Sequence, residues 1–497
     1  MGDILSIIKD STLTYEQKVL SLAKAAENTL NVLNISREAQ KYRNEGIICD
    51  LFEGNAPYRP RYIVPDYEKF LKKGSEFLGL KAPKDIWEAI NSLLILYKHV
   101  PSITSFPVYI GNIDNLLDPF IEDEDEAYKA IKLFLTHIDR TLTDSFCHAN
   151  IGPLCTRAGR LILKAEKELQ NAIPNLTFKY GEMTPDDFAI EGIKTALETA
   201  KPSFANHEMF SGEFGEDYGI ASCYNGLNIG GGSYTLVRLN LAALAKKAGN
   251  EDDFIYKVLP HAVRAMAEYM DKRIRFLVEE SEFFKTNFLV KEGLIDQKNF
   301  TAMFGMFGLA ECVNHFIGSE KIEDKFGHSD KANDLGVEII EKLDEEVAKH
   351  KNQYCKATDE RFLLHAQVGI DSDIGTSPGC RIPIGEEPEL STHLLHSCRF
   401  HKYFPSGIGD IFSFDSTAKN NPKYILDILK GAFKEKMRYI SIYSSDSDVI
   451  RITGYLVKKS EMEKLDKGKQ VLHDTVALGL GSAKNQKVLE RKVRHNG

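Results

Sequence analysis

The chain has 497 residues, of which 43% are hydrophobic and 27% charged, as in soluble globular proteins. Its 63 basic and 72 acidic residues give a net charge of −9, which argues against a protein that coats nucleic acid or anionic membranes. No apolar run approaches the length of a membrane-spanning helix and no secretory signal is visible, so we expect a cytoplasmic globular protein without a membrane or nucleic-acid partner.

Helical patterns dominate the first two hundred residues. Thr14 and Gln17 form a capping box, and the residues after them place Val19, Ala23 and Leu30 on one apolar face. Three prolines between residues 46 and 65 then break the periodicity. Further helices are predicted at 67–98, 124–142, 154–172 and 185–200.

The second half of the chain mixes helices with extended segments. A Gly-rich polar stretch at 209–234 is followed by predicted helices at 252–280, kinked at Pro260, and at 331–349. Short extended segments are then predicted in RFLLHAQVG, CRIPIG and IGDIFSFD, followed by a helix at 422–434. YISIYS and VIRITGYLV alternate like two strands joined by the polar turn SSDSD. The pattern predicts one large mixed α/β domain with a helical N-terminal part.

The eight cysteines are scattered, and no two of them form a C-x-x-C pair or a zinc-ribbon spacing. In a reducing compartment we expect free thiols, most of them small buried hydrophobic groups. One histidine-rich stretch has ligand-like spacing, but no second ligand pair stands near it, and we predict no metal site; its members are His393, His396, Cys398 and His401.

Gly454 interrupts the last predicted strand, in the sequence Arg451-Ile452-Thr453-Gly454-Tyr455. A glycine in a strand usually marks a bulge or a close backbone approach. A chemical interpretation is also open, because a radical on a glycine α-carbon is stabilised by the amide nitrogen on one side and the carbonyl on the other. Without a side chain, that carbon can flatten and be approached closely by another loop.

The R-I-T-G-Y sequence resembles the glycyl radical motif near the C-terminus of glycyl radical enzymes. A second stretch, ASCYNGLNIGGGSYTLVRLNLAALAKKAGNEDDF around Cys223, is similar to the active-site cysteine region of anaerobic (class III) ribonucleotide reductases. A third, GTSPGCRIPIGEEPEL with RFHKYFPSGIGDIFSF, resembles late barrel segments of the same reductases. The resemblance covers about residues 205–460 in matching order, and it is strongest to the YjjI-type branch of glycyl radical enzymes.

Several departures from better-known branches narrow the chemistry. Pyruvate formate-lyases carry two adjacent cysteines, whereas Cys223 lies between Ser222 and Tyr224. Glycyl radical dehydratases carry C-x-E with a glutamate base, and here that place is Asn225, which cannot take a proton at neutral pH. The nucleotide-binding cone and the four-cysteine zinc site of the anaerobic reductases have no counterpart in this sequence.

The resemblance implies a ten-stranded α/β barrel built from two antiparallel five-stranded halves. It also implies a helical part at 1–45, a barrel carrying the cysteine loop at 46–435, and the radical loop with its extension at 436–497. Gly454 would store a radical and Cys223 would form the thiyl that attacks a small polar, hydroxylated metabolite, while Arg451 and Tyr455 shape the loop. A radical S-adenosylmethionine activating enzyme would install the radical, no cofactor would stay bound, and a homodimer is expected.

Other residues are weaker candidates for the substrate pocket. Cys380 could be a second thiol facing substrate or a core cysteine at the end of a strand. Asn225, Asn228 and His401 could line the pocket or be satisfied structural polar groups. Two further functions stay open: a minimal ribonucleotide-reductase-like enzyme acting on nucleotides or nucleosides, and a non-catalytic relative that uses the barrel for binding.

Overall fold

The computed structural model describes residues 4–51, 53–103, 106–366, 370 and 372–495, which form a mixed α/β structure. Within those ranges no helix combines the length and the apolar character needed to cross a membrane. The helices are α1 (Ile4–Lys9), α2 (Tyr15–Glu27), α3 (Arg37–Asn44), α4 (Tyr67–Lys73), α5 (Ile86–Tyr97), α6 (Ile113–Leu117), α7 (Glu124–Thr141), α8 (Arg157–Leu169), α9 (Asp186–Thr199), α10 (His207–Phe214), α11 (Leu241–Ala245), α12 (Glu251–Asp253), α13 (Leu259–Arg275), α14 (Phe283–Thr286), α15 (Phe288–Lys291), α16 (Leu309–Ile317), α17 (Asp330–Ala348), α18 (Leu390–His401), α19 (Pro422–Lys434), α20 (Lys459–Asp466) and α21 (Thr475–Asn485).

The described strands form two large sheets and two separate hairpins. The strands are β1 (Ile48–Cys49), β2 (Tyr62–Val64), β3 (His148–Ile151), β4 (Asn175–Tyr180), β5 (Ser203–Asn206), β6 (Tyr218–Ala221), β7 (Asn225–Asn228), β8 (Gly231–Asn240), β9 (Phe300–Phe307), β10 (Leu363–Ala366), β11 (Asp410–Phe414), β12 (Tyr439–Ser444), β13 (Val449–Arg451), β14 (Leu456–Lys458) and β15 (Val493–Arg494). β6 pairs with β7 and β13 with β14, and these hairpins carry the two motifs singled out in the sequence.

The two large sheets combine parallel and antiparallel pairs. The five-stranded sheet has the order β1-β8-β9-β10, in which β8, β9 and β10 are parallel and β2 also pairs with β8. The six-stranded sheet has the order β15-β11-β12-β5-β4-β3 and changes direction between β5 and β12. The pairing of the described strands therefore gives two open sheets and not a closed ten-stranded barrel.

Strand β4 shows how the sequence divides the six-stranded sheet into two faces. All six of its residues, Asn-Leu-Thr-Phe-Lys-Tyr, are buried, and they alternate between polar and apolar side chains. Because successive side chains in a strand point to opposite faces, the polar and apolar sets separate. Phe178 packs on Phe188 of α9 with ring centroids 4.7 Å apart, so the apolar face binds the covering helices. The other face is a polar surface inside the protein.

Helices cover the apolar sides by burying one stripe each. In α7 the stripe includes Ala127, Ile131, Phe134 and Ile138, which recur at the spacing of an amphipathic helix. The predictions at 124–142, 154–172, 185–200, 331–349 and 422–434 are confirmed by α7, α8, α9, α17 and α19. The prediction at 252–280 is confirmed by α12 and α13 with π-helical turns on either side of α13.

Three predicted elements are wrong in detail. The helix at 67–98 is two helices, because Gly74 adopts a φ of +76° and the backbone turns between Ser75 and Leu80. CRIPIG forms no strand among the described residues. YISIYS is the predicted strand, β12 of the large sheet, but VIRITGYLV is not one strand: it folds back on itself as β13 and β14.

The N-terminal helix α2 departs from its predicted packing. The capping box of Thr14 and Gln17 is present, so the helix begins where the sequence predicts. However, no residue of α2 is buried, and Val19 and Leu30 of the predicted apolar face are about half exposed. Its inward side borders a cavity instead of a packed core.

Candidate active site

Cys223 lies at the tip of the β6–β7 hairpin. Ser222 before it adopts a left-handed φ of 61°, which turns the chain back within three residues. Asn225 braces the tip, because its Nδ2 donates to the carbonyl of Ala221 at 2.8 Å and to Sγ of Cys223 at 3.3 Å. Asn225 therefore orients the thiol as part of the hairpin.

Neighbouring strands hold this hairpin from several sides. Tyr439 of β12 donates its hydroxyl to the carbonyl of Cys223 at 3.0 Å. Lys179 of β4 donates Nζ to the carbonyl of Tyr218 at 2.6 Å. A Cβ at Gly407 would stand 2.2 Å from the carbonyl oxygen of Tyr224, so only glycine allows the backbones to pass this closely.

Gly454 lies in the turn between β13 and β14. The amide of Ile452 donates to the carbonyl of Tyr455 at 3.0 Å and closes a tight four-residue turn. All four residues of the turn are buried. The glycine α-carbon is therefore held inside the protein and away from bulk water.

Asn175 on the polar face of β4 connects the two hairpins. Its Nδ2 donates to the carbonyl of Gly454 at 2.8 Å and lies 3.5 Å from the carbonyl of Ser222, the residue before Cys223. One side-chain amide thus contacts both loops, although 279 residues separate it from Gly454. The structure brings the two motif residues of the sequence together at this point.

Arg451 and Tyr455 flank the turn that contains Gly454, and both make side-chain contacts with other parts of the fold. Arg451 is buried and donates to Oδ1 of Asn175 at 3.1 Å and to the carbonyl of Ala200 at 2.9 Å. The Tyr455 hydroxyl lies 3.3 Å from Oγ of Ser482 in α21. From the far end of the chain, Arg491 donates to the carbonyls of Arg451 and Ile452, at 3.1 and 3.0 Å.

The electrostatics of the site favour an uncharged thiol. Cys223 is 2% exposed, and burial raises its pKa to about 11. His148, which reaches Tyr439 through Thr177, has its pKa lowered by burial to about 3 and is neutral. Cys223 therefore keeps its S–H bond at neutral pH.

A cavity of about 480 Å³ opens on Ser222 and Cys223, and we call it the thiol cavity. One wall comes from α2, with Leu20 and Ala23, and another from the segment that contains His473 and Asp474. Arg61 and Tyr62 of the β2 region also line it. Cys223 therefore borders a cavity large enough to hold a small molecule.

The remaining pocket candidates are held elsewhere. Asn228 donates to the carbonyl of Phe214 at 3.2 Å. Cys380 borders a separate small cavity beside Tyr224. His401 is buried with its pKa lowered by burial to about 3, and its Nδ1 accepts a hydrogen bond from the Arg438 amide at 2.7 Å. Neither these three residues nor Asn225 lines the thiol cavity.

No group of three or more histidine, cysteine or acidic residues in the described ranges is arranged to hold a metal ion. In the histidine-rich stretch, Nε2 of His393 lies 2.9 Å from Oδ2 of Asp410, and both nitrogens of His396 lack a hydrogen-bond partner among the described residues.

Sequence reasoning did not identify Asn175, Tyr439, Arg491 or Arg61 as parts of the site. The alternation of Asn, Thr and Lys in β4 was a usable signal, because polar residues at every second place of a buried strand need partners on one face. The roles of Tyr439, Arg491 and Arg61 depend on contacts between distant segments, and no local pattern marks them.

The chain is similar to a known protein family over nearly all of its length. Residues 13–494 match the family described as "Glycyl radical enzyme YjjI-like". An uncharacterized protein of Haemophilus influenzae is 47% identical, over 99% of this chain and 98% of that protein.

Solved structures with low sequence identity share the fold. The anaerobic ribonucleotide reductase of Thermotoga maritima, with glycerol in its active site, has a TM-score of 0.74 at 13% identity and covers 94% of each chain. The B12-independent glycerol dehydratase of Clostridium butyricum, bound to glycerol, has a TM-score of 0.71 at 12% identity, over 97% of this chain and 85% of the dehydratase.

Proposed function

This chain belongs to the YjjI-like family of glycyl radical enzymes, and from that membership we propose that Gly454 stores a radical that Cys223 delivers to a substrate. The substrate would be a small polar, hydroxylated metabolite bound in the thiol cavity. The observation that supports the proposal is the contact of Asn175 with the carbonyls of Ser222 and Gly454, which holds the Cys223 loop and the Gly454 loop close together.

The proposed reaction begins with two hydrogen-atom transfers. The α-carbon radical of Gly454 takes the hydrogen atom of the Cys223 S–H bond, so a Cα–H bond forms and a thiyl radical remains. The thiyl then takes a hydrogen atom from a substrate C–H bond, which restores the thiol and leaves a substrate radical. The first step needs a protonated thiol, and the pKa of about 11 at Cys223 supports this requirement. Burial of both loops keeps water away from the radicals.

The proposal includes an activating partner. A radical S-adenosylmethionine enzyme would remove one hydrogen atom from the Gly454 α-carbon. Because the turn around Gly454 is buried, the β13–β14 hairpin must move outward, or open, before such a partner can reach it. A cytoplasmic location and a homodimer stay predictions from the sequence.

We also propose that the two sheets are parts of the family's ten-stranded barrel. A parallel bridge supports this, because His365 of β10 pairs with Gly407 ahead of β11. A second parallel bridge joins Asn112, which precedes α6, to Asn150 of β3. With these bridges, β8, β9, β10, β11 and β12 become one half, and β3, β4 and β5 belong to the other.

Reduction of nucleotides or nucleosides is a second candidate function. The fold shared with the Thermotoga maritima reductase favours it. This candidate would be supported over the first if nucleotides raise the melting temperature of the protein and small hydroxylated compounds do not. A non-catalytic barrel is the third, and a protein that never acquires a radical would support it.

The proposed function is tested by incubating the purified protein anaerobically with its activating enzyme and S-adenosylmethionine. We expect an organic-radical signal in the electron paramagnetic resonance spectrum, formed with cleavage of S-adenosylmethionine and absent in Gly454→Ala. Air should then cut the chain at Gly454. An activator that cleaves S-adenosylmethionine while the wild-type protein stays radical-free would contradict the proposal.

A further inference from the structure

The thiol cavity borders a charge network that contains more arginines than carboxylates. Arg61 lies 3.1 Å from Glu53, and the buried Arg273 lies 2.8 Å from the same carboxylate. Asp50 is shared between Arg43 at 3.5 Å and Arg273 at 3.9 Å. Among these five residues, three cations face two anions, so one positive charge is not balanced within the network.

Arg61 is the member of this network that faces the cavity. It is 8% exposed, and its Nη1 is engaged by Glu53 and by the carbonyl of Leu51 at 3.2 Å. Its Nε is buried without a hydrogen-bond partner among the described residues. A buried, unpaired N–H of a guanidinium costs free energy unless a ligand accepts from it, and anionic oxygens are its best acceptors.

Glu53 cannot supply that missing acceptor. Its Oε2 already accepts from Thr235 at 2.6 Å and from Arg273, and its Oε1 accepts from the amide of Leu236 at 2.8 Å as well as from Arg61. The carboxylate is thus saturated by protein donors. The Arg61 guanidinium also hydrogen-bonds to the Tyr62 side chain, which lines the same cavity, but Nε itself has no partner among the described residues.

Asp474 presents the opposite kind of group to the same cavity. Its Oδ2 accepts from the hydroxyl of Thr143 at 3.2 Å, while its Oδ1 is buried without a hydrogen-bond partner among the described residues. Burial raises the pKa of the Asp474 carboxyl, while side-chain hydrogen bonds from Gln17 and Thr143 lower it. Its unpartnered oxygen can accept a hydrogen bond from a hydroxyl or an ammonium group.

The other charged groups on the cavity wall already have partners. Arg59 pairs with Glu27 at 3.4 Å and donates to the carbonyl of Ser102 at 2.5 Å. His473 lies between Asp139 and Glu461, at 3.5 and 3.1 Å. Lys24 and Asp144 also line the cavity and each has an interaction partner.

We propose that the thiol cavity binds a hydroxylated anion, with Arg61 holding the carboxylate or phosphate and Asp474 accepting from the hydroxyl. This assignment rests on the proposed function, because it treats the cavity beside Cys223 as the substrate site. It narrows the substrate from a polar metabolite to one with a negative charge. The two unpartnered atoms, Nε of Arg61 and Oδ1 of Asp474, are the specificity determinants.

The proposal is tested by thermal melting of the intact, unactivated protein at constant ionic strength. The added compounds are glycerate, glycerol 3-phosphate and uncharged glycerol. We expect at least one of the two anions to raise the melting temperature at lower concentration than glycerol does. The more effective anion identifies the charged group as carboxylate or phosphate.

Two variants locate the binding groups. Arg61→Gln should weaken the apparent affinity for the effective anion roughly 10- to 100-fold, because a charge-assisted hydrogen bond is lost. Arg399→Gln is the control, since Arg399 pairs with Asp334 and does not line the thiol cavity. Propionate lacks the hydroxyls of glycerate. In Asp474→Asn, the ratio of the affinity for glycerate to the affinity for propionate should therefore fall.

The proposal would be overturned if the anion stabilises the wild type and Arg61→Gln equally. It would also be overturned if neither anion stabilises the protein more than chloride does. If Arg61→Gln does not fold, Arg61→Lys keeps the positive charge, and an unchanged affinity in that variant would also overturn the role of Nε. Because the measurement needs no radical, its failure is separate from a failure of the spectroscopic test of Gly454.

Discussion

Asn175 is the residue on which the contact between the two reactive loops depends. Its amide nitrogen donates to the carbonyls of Gly454 and Ser222, and its amide oxygen accepts from Arg451. Every polar atom of the side chain therefore has a hydrogen-bond partner. Asparagine suits this place because it supplies a donor and an acceptor without a charge.

We expect Asn175→Asp to lose the hydrogen bonds that the amide nitrogen donates and to keep the one that the amide oxygen accepts. The carboxylate still accepts from Arg451 but cannot donate to the carbonyl of Gly454, so a buried acceptor is left unpaired at a cost of about 1–3 kcal/mol. Equilibrium unfolding in denaturant measures the loss. Asn228→Asp, which removes a single partly buried hydrogen bond to Phe214, should cost less. Equal losses in the two variants would refute the bridging role.

At the scale of elements, the segment that follows the β13–β14 hairpin is tied to helix α7. Glu461 of α20 and Asp139 of α7 both pair with His473, which is 2% exposed and also lines the thiol cavity. Burial lowers the pKa of His473, but the hydrogen bonds to the two carboxylates outweigh it and raise the pKa to about 10. His473 is therefore a buried cation that joins α20 to α7.

This cation makes stability depend on pH. Because the folded pKa of about 10 lies above the ordinary 6.5, the contribution is complete below pH 6.5 and disappears as the pH rises to about 10. His473→Gln should lower the free energy of unfolding by roughly 2–4 kcal/mol at pH 7 and flatten its dependence between pH 6.5 and 10. Urea unfolding over that range measures both effects. His495→Gln, on an exposed histidine, should keep the wild-type slope; the same slope in His473→Gln would argue against the buried cation.

Helix α2 covers the thiol cavity without being packed into it. It buries no residue, and its contacts include weak hydrogen bonds from Gln17 to the carbonyls of Val471 and Leu472, at 3.4 and 3.5 Å. Local unfolding costs little free energy in an element that buries little apolar surface. Opening of α2 would give a small molecule a route to Cys223.

Hydrogen–deuterium exchange measured by mass spectrometry should reveal this difference. We expect the amides of α2 to exchange at least about ten-fold faster than those of α7, which buries a full stripe of side chains. Helix α19, of the same length as α2 but with five buried residues, is the matched comparison. Protection of α2 equal to that of α19 would contradict the loose cover.

The long helices could be predicted because each carries its own apolar period, and α7, α9 and α17 match their predictions within two residues. The sheets could not, because short buried strands such as β3 and β5 contain serine, asparagine and histidine that only distant partners satisfy. CRIPIG and VIRITGYLV were misassigned because alternation alone does not show whether a segment finds a partner strand or where a strand turns back.

For the whole molecule, the sequence alone was enough to propose the two reactive residues, but it did not predict their surroundings. Gly454 and Cys223 lie in short local motifs, whereas Asn175 and Arg61 act through contacts with residues far away in the chain. The predicted division into parts at residues 45 and 435 stays a prediction. One wall of the thiol cavity comes from α2 and another from the segment after the radical hairpin, so the cavity is built by all three predicted parts.

The account depends on transfer of a hydrogen atom between Gly454 and Cys223, and this can be measured without knowing the substrate. A thiol exchanges its hydrogen with D₂O, so reversible transfer would replace the α-hydrogen of Gly454 with deuterium. We expect the radical doublet, split by that hydrogen, to collapse to a single line in D₂O in the wild type and in Cys380→Ser. In Cys223→Ala the doublet should persist. Collapse in Cys223→Ala, or a persistent doublet in the wild type, would contradict the pairing of these two residues.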